Sequence, residues 1–173
     1  MVKGSVASIE TMGLADGPGI RTVVFLNGCK LRCKYCHNPE MQKMSDLNIT
    51  SIELCEKIIR NKPYFKRNNG GVTFSGGDPL DNPESALEIA KLVKEKYNLN
   101  LWIYTGYTFE EILEKSKNNK IYLDIFSLTD VLVDGPFVNN LRDLSLLYRG
   151  STNQRIIDVK QSLKTNSIVT LNY

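Results

Sequence analysis

Cys29, Cys33 and Cys36 stand at C-x3-C-x2-C spacing within eight residues, and clustered thiolates are soft ligands that select zinc, copper(I) or iron–sulfur centres. The ligand count narrows the choice. A closed zinc site needs four ligands, and a fully ligated [4Fe–4S] cluster needs four cysteines. Three cysteines on a cubic cluster leave one iron without a protein ligand, open to a small molecule. The spacing therefore points to a catalytic cluster rather than a structural one. Two other readings stay open: a zinc module with His37 as fourth ligand, and a passive iron–sulfur electron carrier. His37 adjoins Cys36 and is the only histidine, whereas structural zinc sites space paired ligands by two or more residues. A carrier needs a fourth cysteine, and Cys55 falls on the apolar face of an expected helix, where a buried inert thiol is the expectation.

The elements that must position these thiols follow from the hydrophobic pattern. Thr22–Leu26 is a short β-branched apolar run that reads as a strand buried on both faces, as in a parallel sheet. The cysteine run begins three residues later, so the thiols sit in a loop at the carboxyl end of a strand, where open α/β sheets and barrels bind ligands. Further strands are expected at Ser5–Glu10, Gly71–Ser75, Leu99–Thr105, Val131–Asp134 and Gln154–Val159. Capping boxes at Thr50 to Glu53 and Thr108 to Glu111 open two helices, the first with Ile52, Cys55, Ile58 and Ile59 at helical spacing. Pro83 opens another between them. Lys115–Lys120 reads as a solvated loop.

This alternation of strand and helix predicts βα units on a parallel sheet. A complete eight-unit barrel needs about 250 residues, and the chain has 173. The expected fold is therefore an α/β open partial barrel of five or six parallel strands, in a single domain over residues 1–173. Its incomplete side would leave a mouth for a macromolecular substrate, with Asp16 and Arg21 lining it. No internal repeat or low-complexity tract breaks the chain. The 22 basic and 19 acidic residues are interspersed, which gives no electrostatic argument for nucleic acid. No apolar run approaches the roughly 20 residues of a membrane span. The first five residues lack the apolar core of a leader, so a reducing cytoplasm is expected for the four cysteines.

Gly76-Gly77-Asp78-Pro79 follows the strand after the cysteine loop. Glycines there let backbone approach a ligand, and their carbonyls could accept from an ammonium. The cysteine spacing and this turn, in that order, resemble the signatures of the radical S-adenosylmethionine enzymes. The family's usual Glu-Pro is Asp78-Pro79 here, a variant similar to that in the activating proteins of anaerobic (class III) ribonucleotide reductase. Tyr104-Thr105-Gly106-Tyr107, Val131–Val138 and Arg149-Gly150-Ser151-Thr152-Asn153-Gln154 resemble segments of the same family. Asp16-Gly17-Pro18-Gly19, Cys33–Glu40 and Gly71–Gly77 resemble instead the pyruvate formate-lyase activating enzymes.

Both resemblances imply the same chemistry. Cys29, Cys33 and Cys36 would hold a [4Fe–4S] cluster whose open iron chelates S-adenosylmethionine. Reductive cleavage would yield a radical that abstracts hydrogen from a glycine of a large partner enzyme. The resemblance places Tyr35, Cys36 and His37 against the adenine of the cofactor and Gly76 and Gly77 at its amino group. Thr105 and Asp134 would hold its carboxylate end, through a monovalent cation. Arg149 and Asn153 are weighed equally as structural. The leading expectation for the partner is anaerobic ribonucleotide reductase, with a pyruvate formate-lyase-type enzyme as the alternative, and a flavodoxin or ferredoxin as electron donor. Neither nucleic acid nor membrane is an expected partner, and no side-chain acid or base is expected, because the cofactor carries the hard chemistry.

Overall fold

The computed structural model describes residues 2–66 and 69–173; Met1, the first of the five residues read for a leader, lies outside them. Six strands form one sheet: β1 (Val6–Gly13), β2 (Arg21–Leu26), β3 (Gly71–Gly76), β4 (Asn100–Tyr104), β5 (Val131–Asp134) and β6 (Arg155–Asp158). They lie side by side in chain order. The pairings β2–β3, β3–β4 and β4–β5 are parallel, whereas β1 and β6 run antiparallel at the two edges.

The α/β class holds, and the expected five or six parallel strands are corrected to four. Among the described residues four strands are parallel and the sheet is open. The physical reason lies in the connections. A parallel neighbour needs a crossover of a dozen or more residues, usually with a helix. Between β1 and β2 only residues 14–20 intervene, and the chain turns straight back. Between β5 and β6 the linking segment carries a single 3-10 turn, Asn139–Leu141, and so β6 returns against the direction of β5.

The helices cover one face. α1 (Ser51–Ile59) opens with the expected capping box, in which Thr50 Oγ1 accepts from Glu53 N at 3.2 Å and the Glu53 carboxylate accepts from Thr50 N at 2.9 Å. It buries Leu54, Cys55 and Ile58, while Ile52, expected on the apolar face, is exposed. α2 (Pro83–Lys91) continues through a π turn at Leu92–Lys96. α3 (Phe109–Asn118) runs through Lys115–Asn118, correcting the loop expected there: Lys117 is exposed, and Lys115 is half-buried with its ammonium 4.2 Å from the centre of the Tyr107 ring. α4 (Ile121–Leu128) and α5 (Val159–Thr165) follow, and a further helical turn lies at Lys62–Phe65.

Two apolar clusters result. The larger joins Val24, Phe74, Leu101, Ile103 and Leu132 of the sheet to the helices. The smaller lies on the other face around Trp102, Val131, Val133 and Ile156. There Trp102 meets Tyr148 edge-on at 5.7 Å between centroids, and Tyr173 at 5.8 Å. No helix among the described residues is long and apolar enough to cross a membrane.

Candidate functional site

The carboxyl ends of the parallel strands carry the chemistry-bearing residues. β2 ends at Leu26, and Cys29, Cys33 and Cys36 follow in irregular chain. Two backbone bonds tie the start of this loop down: Gly28 N to Met41 O at 2.8 Å and Cys29 N to Gln42 O at 3.2 Å. Within the loop Cys36 N donates to Cys33 O at 3.2 Å, and the Arg32 guanidinium donates to Cys29 O.

The turn after β3 packs directly on the cysteine loop. Gly77 N donates to Leu26 O at 2.7 Å and Asp78 N to Gly28 O at 3.0 Å. A Cβ on Gly77 would stand 2.5 Å from the Gly28 carbonyl oxygen, and one on Gly76, which sits at φ +97°, would stand 2.7 Å from Leu26 N. Only glycine tolerates both the close approach and the positive φ. The two glycines thus do more than expose backbone to a ligand: they let two loops touch.

Asp78 joins a third loop to the pair. Its side chain is 1% exposed. It accepts from Leu80 N at 3.0 Å, from Thr105 Oγ1 at 3.0 and 2.9 Å on its two oxygens, and from Gly106 N at 3.0 Å. Burial pushes its pKa up to about 7, against the pull of the Gly106, Leu80 and Thr105 hydrogen bonds. Burial similarly pushes the Cys29 thiol up to about 11, with Asp78 adding to the rise, and raises Cys33, with Cys36 adding. Metal binding at these thiols therefore releases protons.

These loops enclose a cavity of about 380 Å³ whose wall includes Cys29, Cys33, Cys36, Tyr35, His37 and the Gly76-Gly77 turn. The three thiols, the glycine pair and the aromatic segment expected to act together are therefore neighbours. Among the described residues no three His, Cys, Asp or Glu side chains converge on the position of a single metal ion. A cluster distributes its thiolates over separate irons, and three cysteines around one roomy cavity fit that donor arrangement.

Thr105 and Asp134, expected at the carboxylate end of the cofactor, are each held by partners within the protein. Thr105 is 6% exposed, with its hydroxyl donated to Asp78. Asp134 is 1% exposed, and both its oxygens are taken: Oδ2 accepts from Phe109 N at 2.8 Å and from Arg155 Nη2 at 2.5 Å, and Oδ1 from Arg155 Nε at 3.0 Å. Arg155 also grips Glu110. In this arrangement Asp134 binds the start of α3 and a guanidinium.

Asp16 and Arg21, expected at the mouth, lie at the opposite end of β2 from the cysteine loop. Arg21 is fully buried. Its Nε donates to Thr73 Oγ1 at 2.7 Å and its Nη2 to Val72 O at 2.8 Å and Asn100 Oδ1 at 3.0 Å, with the guanidinium 5.3 Å from the centre of the Trp102 ring. Burial lowers its pKa to about 10. Cys55 is 2% exposed on α1, away from the cavity, as its helical spacing predicts.

The far wall adds residues that spacing alone left unassigned: Phe137, Arg149 and Gln154. Gln154 clamps this segment, its Oε1 accepting from Gly150 N at 2.9 Å and its Nε2 donating to Gly135 O at 3.1 Å. Arg149 Nη1 donates to Gln154 O at 2.8 Å. The signals for them were the Val131–Val138 segment, which holds Phe137, and the Arg149–Gln154 string. Asn153 turns away to Pro136 O.

Comparison with known proteins agrees with this reading of the thiols. Residues 15–157 match the family described as the 4Fe-4S single cluster domain. The pyruvate formate-lyase-activating enzyme of Clostridium pasteurianum is 49% identical over 134 residues, which covers 75% of this chain and 56% of that protein. Those of Staphylococcus epidermidis (strain ATCC 12228 / FDA PCI 1200) and Staphylococcus aureus (strain USA300) are each 49% identical over 82 residues, covering 46% of this chain and 33% of theirs. The chain thus spans about half, or a third, of the length of these relatives. The match runs from before the cysteine loop to the last strand of the sheet, so it takes in every wall of the cavity: the chain belongs to the 4Fe-4S single cluster domain family.

Proposed function

We propose that this protein is a radical S-adenosylmethionine activase that installs a glycyl radical in a partner enzyme of the pyruvate formate-lyase type. The carrying observation is that Cys29, Cys33 and Cys36 share one cavity with the Gly76-Gly77 turn, with a donor set one short of a closed cluster. When bound, a [4Fe–4S] cluster and S-adenosylmethionine supply a one-electron cleavage to methionine and a 5′-deoxyadenosyl radical, which takes a hydrogen atom from the partner's glycine. A flavodoxin or ferredoxin supplies the electron.

The chain's own residues bind and orient. The three thiolates would hold the cluster, as a donor set one short of a closed one. The turn at Gly76 and Gly77 presents backbone to the amino end of the cofactor. Tyr35 and His37 line the cavity together with Phe137, which supports a place for the adenine beside them. Thr105 acts through Asp78, holding the turn in place. Asp134 shapes the same rim through α3.

The similarity to pyruvate formate-lyase-activating enzymes over 75% of the chain favours that partner class over anaerobic ribonucleotide reductase. The second reading keeps as its support the resemblances described above, at Asp78-Pro79, Tyr104-Thr105-Gly106-Tyr107, Val131–Val138 and Arg149–Gln154. Anaerobic reconstitution with iron and sulfide, followed by dithionite and S-adenosylmethionine, should release 5′-deoxyadenosine. Cys33→Ala should abolish that release while the thermal melt persists. A colourless protein with one tightly held zinc would refute the proposal, as would a brown protein that is reduced without consuming S-adenosylmethionine. Electron paramagnetic resonance after mixing with each candidate partner decides between them by where the glycyl signal develops.

A further inference from the structure

The cysteine loop has a charge pattern of its own. Residues 29–37 contain Lys30, Arg32 and Lys34 and no acid. Net charge is one of the terms that set a cluster's reduction potential. Basic groups nearby favour the reduced, more negative form, whereas cleaving a sulfonium calls for a strongly reducing electron.

An opposing charge comes from the 3-10 turn Pro79–Asp81, which follows the glycine pair. Asp81 Oδ2 accepts from Lys30 N at 2.5 Å, 51 positions away in the chain. Its Oδ1 accepts from the Tyr107 hydroxyl at 2.8 Å. The next residue, Asn82, donates from Nδ2 to Asn27 O at 2.9 Å. Side chains of two successive residues thus hold the loop on both sides of Cys29. Tyr107 is itself braced. Its N donates to Thr105 Oγ1 at 3.2 Å, its carbonyl accepts from Gly135 N at 3.1 Å, and Lys115 Nζ lies 4.2 Å from its ring centre. Asp78 also lines the cavity, but its carboxylate is occupied by Leu80 N, Thr105 Oγ1 and Gly106 N. Among the described residues, Asp81 is the acid whose side chain bonds to the cysteine loop.

We infer that Asp81 is a positioning residue for the cluster, which fixes the loop at Lys30 and lowers the reduction potential of a cluster held by Cys29, Cys33 and Cys36. Two physical effects act in the same direction. An amide whose hydrogen is held by a carboxylate cannot donate it to a thiolate or sulfide, and hydrogen bonds to the sulfurs are a second term in the potential. A negative charge on the residue next to a ligand opposes the arrival of an electron. This rests on the proposed function, whose cluster it concerns.

The test is a redox titration of the reconstituted full chain at one pH, followed by electron paramagnetic resonance of the reduced cluster. Asp81→Asn keeps an acceptor of the same size and removes the charge. It should move the equilibrium toward the reduced form about ten-fold, which is about 59 mV for a one-electron couple, with iron and sulfide per chain unchanged. Asp81→Glu restores the charge and should lie nearer to the unaltered protein. Glu84→Gln removes an exposed charge at the start of α2 and should leave the potential where it was. Melting curves check the fold, and Asp81→Ser carries the same expectation where Asp81→Asn does not fold. An unchanged potential in the neutral variants, or an equal shift in Glu84→Gln, would overturn the inference. So would a folded Asp81→Asn protein that assembles no cluster, since the residue would then serve assembly alone. A cluster that never yields 5′-deoxyadenosine overturns the proposed function and leaves this one standing; an unaltered chain that takes up no cluster overturns both.

Discussion

At the scale of single residues, the site depends on buried groups that hold its walls together. Thr105 illustrates this. Its hydroxyl donates to the buried Asp78 and its oxygen accepts from Tyr107 N at 3.2 Å. Thr105→Val keeps the shape and removes both bonds, leaving Asp78, itself 1% exposed, one donor short. An unmet buried hydrogen bond costs about 1–3 kcal/mol, so chemical denaturation should show a loss of that order. Asp78 carries a pH dependence of its own. Its folded pKa is raised to about 7, so its contribution to stability is fully present below the unfolded carboxylate pKa and declines as pH rises through the folded value. Losing the Thr105 donor should raise the folded pKa further and extend that decline upward, measurable as melting temperature against pH. The cysteines were legible from sequence because ligand chemistry admits few residue types at fixed spacing. The partners of Asp134 were not, since Arg155 lies 21 positions away in the chain and only the antiparallel return of β6 brings the two together.

At the scale of elements, the strands and the capping boxes could be read directly. β-branched apolar runs such as Thr22–Leu26 and Val131–Asp134 have one comfortable conformation, and a Thr three residues before a Glu satisfies helix-end amides locally. Strand direction is not written in a four-residue run, which is why β6 was expected to run parallel. Nor is the end of a helix written in charge: Lys115 and Lys117 both belong to α3, the first half-buried against Tyr107. The element most exposed to test is the turn after β3. Gly77→Ala would put a methyl 2.5 Å from Gly28 O, and backbone cannot yield as a flexible side chain can. The cysteine loop must shift, so the variant should assemble less cluster, read as iron per chain and absorbance after reconstitution, even where the melt shows a folded sheet.

At the scale of the whole molecule, one ion-paired carboxylate ties both ends of the fold together. Asp130 accepts from Lys94 Nζ at 2.6 Å, Leu101 N at 2.8 Å and Lys160 Nζ at 2.7 Å. It thereby links the α2 extension, β4 and α5. Burial raises its pKa, but the Lys160 and Lys94 contacts more than offset this and hold it below the usual carboxylate value. The sign follows: the stabilisation is present above the unfolded carboxylate pKa and disappears as pH falls through the lower folded value. Asp130→Asn should therefore be less stable than the unaltered chain at neutral pH, with the two melting curves converging under acid. The three-loop knot at Asp78 has a different kind of consequence. Because a single side chain receives protons from amides 26 positions apart, at Leu80 and Gly106, neither strand end can fray alone. In deuterium labelling of the native protein those two amides should exchange at one shared rate, slowing together when the pocket fills; independent rates would mean that the walls breathe separately.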